Sequence, residues 1–332
     1  MKYFGRLLLA VVLLGGMGCA ANRASPDSAT AVREEGSIDA MGSVTTIVAY
    51  GNDPKRLQTA ISDALDEMRR LDDMLSNYKP QSEWSRMNRL ANQQPVSLSD
   101  ELFSLLAACV EYSHESEGTF DISVGPLMKV WGFYKGSGHL PDAGAVSHAL
   151  QSVGYRNILL DRAAWTVRFA REGVELDPGG VGKGYAVDRM ADILRKEGVP
   201  SALISAGGSS IYALGAPPNS SGWRIELPNR KAQSNVPVNV MLRDESLSTS
   251  GSSEKFFYAD GKLWSHIMDP RTGYPAQGML SVSVIAPKTI DSEVWAKPYY
   301  ILGRQWTAQH KKTNFRVFLC EDKPETPCAW VQ

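Results

Sequence analysis

The sequence predicts an α+β fold, with two mixed α/β lobes enclosing a cleft. Three observations lead there. Apolar stripes at helical spacing and alternating β-type runs are interleaved along the chain. Two apolar strands, one ending near Asp177 and one near Ser205, each run into a glycine turn, so two strand ends can share one cleft. The length, 332 residues, suits one large domain or two intimately joined lobes. Formal net charge is −1 and no basic run occurs, which argues against bulk attraction to nucleic acid.

The first residues read as a targeting segment. Lys2 and Arg6 flank the apolar run 7–14, and small residues follow up to Cys19. The run is short for a membrane span. A cysteine directly after Gly18 resembles the lipobox of bacterial lipoproteins, although Gly16 departs from its usual aliphatic residue. The expectation is a signal peptide over 1–18, a lipid on Cys19 and a flexible tether over 19–36, with plain secretion as the alternative. The remaining residues, 37–332, form the expected domain, held at the membrane in the bacterial periplasm. Export favours a disulfide between Cys320 and Cys328, and Cys109 reads as a buried thiol on a helix.

Residues 43–50 alternate as a strand. Asn52–Asp53–Pro54 then caps a helix with an apolar stripe from Leu57 to Leu75. A polar helical turn is expected over 82–88, and a helix capped by Ser99 runs to Gly118. The stretch 118–133 is dense in glycine and aromatics without a regular period and reads as a pocket wall or a packed corner. A short helix over 141–153 precedes paired strands at 158–161 and 166–171. After the glycine stretch come a helix over 186–197 and strands at 202–205, 211–214, 223–227 and 237–242. A hairpin turns at Asp260–Gly261, a strand occupies 280–286, a helix interrupted by Pro298 occupies 293–302, and a last strand occupies 315–319.

Glu175 to Tyr185 carries the strongest chemical signal. Four glycines fall within residues 179–184, with Lys183 among them, between a strand and a helix. Glycine amides, a helix N-terminus and a lysine together suit a phosphate-bearing ligand. The P-loop pattern fails because Gly184 follows the lysine, and the Rossmann spacing fails as well. No Gly-x-Ser-x-Gly elbow supports a hydrolase triad. Of the five histidines only His266 stands in a constellation, with Asp269, Arg271 and Thr272 close behind it.

Several blocks together resemble the FAD:protein FMN transferases of the ApbE type. They are Met41–Gly42–Ser43, Ser76–Asn77–Tyr78, Gly118–Thr119–Phe120–Asp121, Asp177–Pro178–Gly179–Gly180–Val181–Gly182–Lys183–Gly184–Tyr185, Ser205–Ala206–Gly207–Gly208, Ser248–Thr249–Ser250–Gly251 and His266 through Gly273. The resemblance implies a flavin-binding cleft and a Mg-dependent reaction. FAD is split at its pyrophosphate, FMN passes to a Thr or Ser hydroxyl of a flavin-accepting subunit of a membrane redox complex, and AMP leaves. It also implies that Met41, Tyr78, Thr119, Phe120, Asp121, Asp177, Lys183, Gly207, Gly208 and His266 contact FAD, and that the Gly180 carbonyl binds the metal. His266 is the candidate for proton or pyrophosphate chemistry, with Asp269 orienting it. Two other outcomes stay open: an FAD-binding lipoprotein without catalysis, and a metal-dependent FAD pyrophosphatase.

One departure stands out. The family usually carries a metal-binding Asp, and four residues later a metal-binding Thr, near the start of the last helix. Glu293 and Lys297 stand there. Glu can ligate Mg, but an ammonium has no lone pair. Asp291 is the expected compensating ligand; alternatively Lys297 lays its own charge against the pyrophosphate. Ser252–Ser253 likewise replace the usual acidic–aromatic pair after the Ser-Gly.

Overall fold

In the computed structural model the main sheet is a meander whose spatial order follows the chain. Val32–Ala40, Ser43–Gly51, Ser201–Ala206, Ser210–Leu214, Glu245–Gly251, Met279–Ala286, Arg316–Glu321 and Ala329–Trp330 lie side by side, each antiparallel to the next. The structure describes residues 31–134, 136–229 and 238–332. The expected signal peptide, Cys19 and the first part of the tether lie outside these residues.

The end of the expected tether is corrected. Residues 32–36 open the first strand, paired along its whole length with Ser43–Gly51. This is an edge strand with polar residues facing out, so its composition looks like a linker while its backbone is fully used. Gly36 marks its inner face, where a Cβ would meet Ile61 Cγ2 at 2.6 Å.

Seven α-helices surround the sheet among the described residues: α1 (Pro54–Leu75), α2 (Glu83–Leu90), α3 (Asp100–Glu115), α4 (Gly125–Val130), α5 (Ala143–Leu150), α6 (Gly182–Lys196) and α7 (Thr289–His310). The starts of the first three follow the sequence cues. Asp53 accepts from the amides of Lys55 and Arg56, Ser82 from Ser85, and Ser99 from Leu102. Helix α4 was not foreseen, because its six residues hold too little periodic pattern to register. Helix α6 starts four residues earlier than expected, so Lys183 sits in its first turn. Helix α7 extends beyond 302, but Gly303 breaks it with φ 75°.

Helices α1 and α6 bury Leu57, Ile61, Met68, Val187, Met190 and Leu194 against Ile47, Ala202 and Ile204 of the sheet. The opposite sheet face is covered by the hairpin Trp223–Leu227 and Val238–Leu242. A second mixed region comprises α2 to α5 and the small sheet of Val96–Ser97, Thr166–Phe169 and Ile158–Asp161. Its core runs continuously from Trp84, Leu102 and Leu106 to Trp295, Tyr299 and Tyr300 of α7. Cys320 and Cys328 are joined in a disulfide, and Cys109 is a buried free thiol.

Helices α6 and α7 are locked together by two carboxylates that cross between them. Asp188 of α6 accepts the amides of Thr289 at 2.7 Å and Ile290 at 2.9 Å, which caps the start of α7. Glu293 of α7 accepts the amide of Gly184 in the first turn of α6. Each helix thus supplies the anion for the positive end of the other. Gly184 is required at this crossing, since a Cβ there would lie 2.7 Å from both Glu293 Oε2 and the Thr289 carbonyl. Replacing Asp188 by Ala leaves the two α7 amides without their acceptor. The expected loss is about 1–2 kcal/mol, measured by urea unfolding with an unchanged m-value.

Candidate functional site

A cleft of about 130 Å³ opens where the two glycine turns meet α7 and the pocket wall. Its lining includes Thr119, Phe120, Asp121, Asp177, Gly180, Lys183, His266, Glu293 and Lys297. Residues more than a hundred positions apart thus converge as the glycine turns anticipate.

Asp177 is held at the head of the glycine turn from several sides. The Trp84 indole donates to the Leu176 carbonyl at 2.9 Å, Asn88 bonds both backbone groups of Leu176, and the Asp177 amide reaches the Ile122 carbonyl at 2.7 Å. Its carboxylate accepts from Asn77 Nδ2 at 3.1 Å and from the Gly179 amide at 2.7 Å. Burial pushes its carboxyl above the usual range, against these two bonds.

The pocket wall follows the same logic. Gly118 turns the chain with φ +74° as α3 ends, and Thr119 Oγ1 donates to the Ser116 carbonyl at 2.6 Å. Phe120 is buried with its edge near the ring of Tyr112. Asp121 accepts the amides of Ser123 at 2.8 Å and Tyr155 at 2.6 Å, and burial raises its carboxyl as well.

The other expected flavin contacts lie around this lining. Met41 occupies the turn between the first two strands, with its amide on Asp72 Oδ1 and its sulfur 3.9 Å from where a Cβ on Gly182 would stand. Gly207, at φ +61°, brings its backbone close to Lys183, whose ammonium donates to Ser209 Oγ at 2.5 Å. Gly208, at φ +70°, completes that turn. Tyr78 is exposed, stacked on Tyr134 at 5.0 Å, with its hydroxyl donating to the Tyr134 carbonyl.

Two expectations about the glycine turn are corrected. Four of its amides do not stand open as an anion cradle, and those of Gly180 and Lys183 remain. Those of Gly179, Val181, Gly182 and Gly184 bond to Asp177, Pro178, Pro178 and Glu293 respectively. The residues present also do not fit a Mg ion at the expected place. The Lys297 ammonium donates to the Gly180 carbonyl at 3.2 Å and to the Glu293 carbonyl at 2.8 Å. The Glu293 carboxylate is 3 % exposed as a residue and holds the Gly184 amide. Asp291 does not compensate: it accepts the Tyr112 hydroxyl and lies outside the cleft lining. Among the described residues, no three His, Cys, Asp or Glu side chains stand together as a metal site.

Asp269 is corrected too. Its carboxylate forms a bidentate pair with Arg271, both distances 2.9 Å, and shapes its own turn instead of orienting His266. The carboxylate near His266 belongs to Glu254, with Oε2 3.8 Å from Nε2. His266 Nδ1 faces the Lys255 carbonyl at 3.3 Å. A carbonyl only accepts, so Nδ1 carries the hydrogen and Nε2 of the neutral ring keeps its lone pair. Burial holds this imidazole below its ordinary value, with Glu254 opposing.

Sequence reasoning did not single out Asn77, Ser209 and Glu254 as site residues. Asn77 and Ser209 stand inside recognised blocks, but their partners, Asp177 and Lys183, are distant in sequence. Glu254 follows the Ser252–Ser253 departure directly, and that offset was the available signal.

A sequence model of the ApbE family matches residues 41–319, and the chain belongs to that family. Among relatives, a FAD:protein FMN transferase of Klebsiella pneumoniae is 32% identical over 268 residues, covering 79% of this chain and 80% of that protein. The FAD:protein FMN transferase of Salmonella typhimurium is 31% identical, covering 98% of this chain and 93% of its own. The fold matches the flavinyl transferase ApbE of Pseudomonas stutzeri in its apo form, with a TM-score of 0.81 and 26% identity over 91% of this chain and 95% of that one.

The His266 environment gives a pH signature. Its folded value lies below its unfolded value of about 6.5, so the unfolded chain takes up the proton first as pH falls. Stability is then lost from about pH 6.5 downwards, and the loss is complete below the folded value. His266→Gln should lose less stability than the wild type between about pH 7.5 and pH 5, measured by urea unfolding at each pH. The raised carboxyls of Asp121, Asp177 and Asp188 are common to both proteins and cancel in the difference.

Proposed function

We infer that this protein is an FAD:protein FMN transferase, which moves FMN from FAD to a Thr or Ser hydroxyl of another protein and releases AMP. The observation that carries the reading is the meeting of Lys183, Lys297 and a neutral His266 in one cleft on the framework of this family.

The residues divide the work as follows. Phe120 gives an apolar wall for a ring of the dinucleotide. Lys183, held by Ser209, places a positive charge at the start of α6 for a phosphate. The acceptor oxygen bonds to the phosphorus on the FMN side as the bond from that phosphorus to the bridging oxygen breaks. The bridging oxygen departs on AMP. The hydroxyl proton passes to Nε2 of His266, which is free to accept it, and then to solvent. Phosphoryl transfer depends mainly on positioning and charge neutralisation, and the lysines supply that charge. No step here is routed through Mg, because the expected ligands are otherwise engaged.

We propose the bacterial periplasm as the location, with a lipid on Cys19 and a flavin-accepting subunit of a membrane redox complex as partner. The targeting segment and the disulfide between Cys320 and Cys328 support export. Among the described residues no helix is long and apolar enough to cross a membrane.

The test is incubation with FAD and a subunit or peptide carrying an acceptor Thr, followed by mass spectrometry and AMP assay. Covalent FMN on the acceptor together with AMP is expected. Free FMN and AMP with an unmodified acceptor would instead identify a pyrophosphatase, and unchanged FAD would refute both. Lys183→Met should lower kcat/KM by about 10²–10³-fold, with little change in the urea midpoint.

A further inference from the structure

The atoms that the family resemblance assigns to a divalent ion are held here by a side chain of the protein itself. Lys297 rises from α7, and its ammonium bonds the Gly180 and Glu293 carbonyls. Glu293 Oε1 is a further 4.0 Å away, close enough for attraction but too far for a hydrogen bond. A divalent ion on the Gly180 carbonyl would be pressed against this ammonium.

An ammonium has three N–H donors. Two are engaged by carbonyls, and Lys297 lines the cleft, where the third is available to a ligand. The side chain is 21% exposed. Its stem passes over Gly180, with Cε 3.5 Å from where a Cβ on that residue would stand.

The closed glycine turn sharpens the point. Four of its amides are already bonded within the protein. Only the Gly180 and Lys183 amides of the turn remain to meet an anion, so charged side chains are needed beside them. Lys183 and Lys297 are the lysines of the cleft lining; burial holds the Lys297 ammonium below its ordinary value, with Glu293 opposing and the Lys183 charge adding to the lowering. A dinucleotide pyrophosphate has one negative charge on each phosphate, which two lysines match.

We propose that Lys297 is the resident cation of this cleft, standing on the Gly180 carbonyl in place of a divalent metal ion and binding the FAD pyrophosphate together with Lys183. FAD binding therefore needs no divalent ion at this position. The proposal rests on the reading of FAD as substrate, and its test separates the two.

FAD is titrated into the full-length protein and followed by flavin fluorescence anisotropy, once in excess EDTA and once in millimolar MgCl₂. Wild-type Kd should agree between the two within about threefold. Lys297→Met should weaken binding in EDTA by about tenfold or more, and Lys297→Arg should keep most of it. Lys297→Thr frees the Gly180 carbonyl and adds a hydroxyl, so Mg should tighten its FAD binding and Mn²⁺ alone should give a bound-ion EPR signal absent from the wild type. Wild-type binding that appears only with Mg, or tightens by about tenfold or more with it, overturns the proposal. So does Lys297→Met binding FAD in EDTA as the wild type does. If Lys297→Met fails to fold, as judged by circular dichroism, the wild-type and Lys297→Arg arms still decide. Absence of FAD binding under every condition overturns the transferase reading itself, and this proposal with it.

Discussion

The exchange of carboxylates between α6 and α7 is the constraint on which the cleft depends. Asp188 closes the start of α7 and Glu293 closes the first turn of α6. All three bonds act on amides that helix geometry leaves without partners. They fix the two helices in register, with Gly184 as the point of closest approach. Lys183 lies one residue before that point and Lys297 one helical turn after Glu293. The positions of both cations thus follow from one crossing.

This crossing also explains which expectations from sequence held. The capped helices α1 and α3, the strand ends with glycine turns and the convergence on one cleft were all legible, because each rests on local backbone rules. The ordered blocks from Met41 to Gly273 carried the family resemblance. Partner choice was not legible. Asp269 stands beside His266 in sequence, yet Arg271 takes it, and Glu254 approaches from the bend that follows the strand Glu245–Gly251. The strand at Val32–Ala40 was hidden because an edge strand can be polar on its outer face while its backbone is paired. Three of the four bonded amides of the glycine turn close locally onto Asp177 and Pro178, while nothing local reveals that Glu293, over a hundred residues away, closes the fourth.

The cleft combines a neutral base with buried acids. His266 is kept neutral by burial, while burial raises the carboxyls of Asp121 and Asp177 against their backbone bonds. A site with so many carboxylates would repel a dinucleotide if all were free and charged. Asp177, Asp121 and Glu293 are each bound to backbone amides, which spread their charge into the protein.

Glu293 and Lys297 therefore act as one unit. A divalent ion needs anionic ligands it can share with few competitors. Glu293 has an amide on one oxygen and the lysine near the other, so it offers a metal little. An ammonium asks less: carbonyl acceptors and a nearby negative charge suffice, and Gly180 and Glu293 provide both. With Glu293 turned inward to close α6, Lys297 four residues later supplies positive charge to the cleft from the same helix.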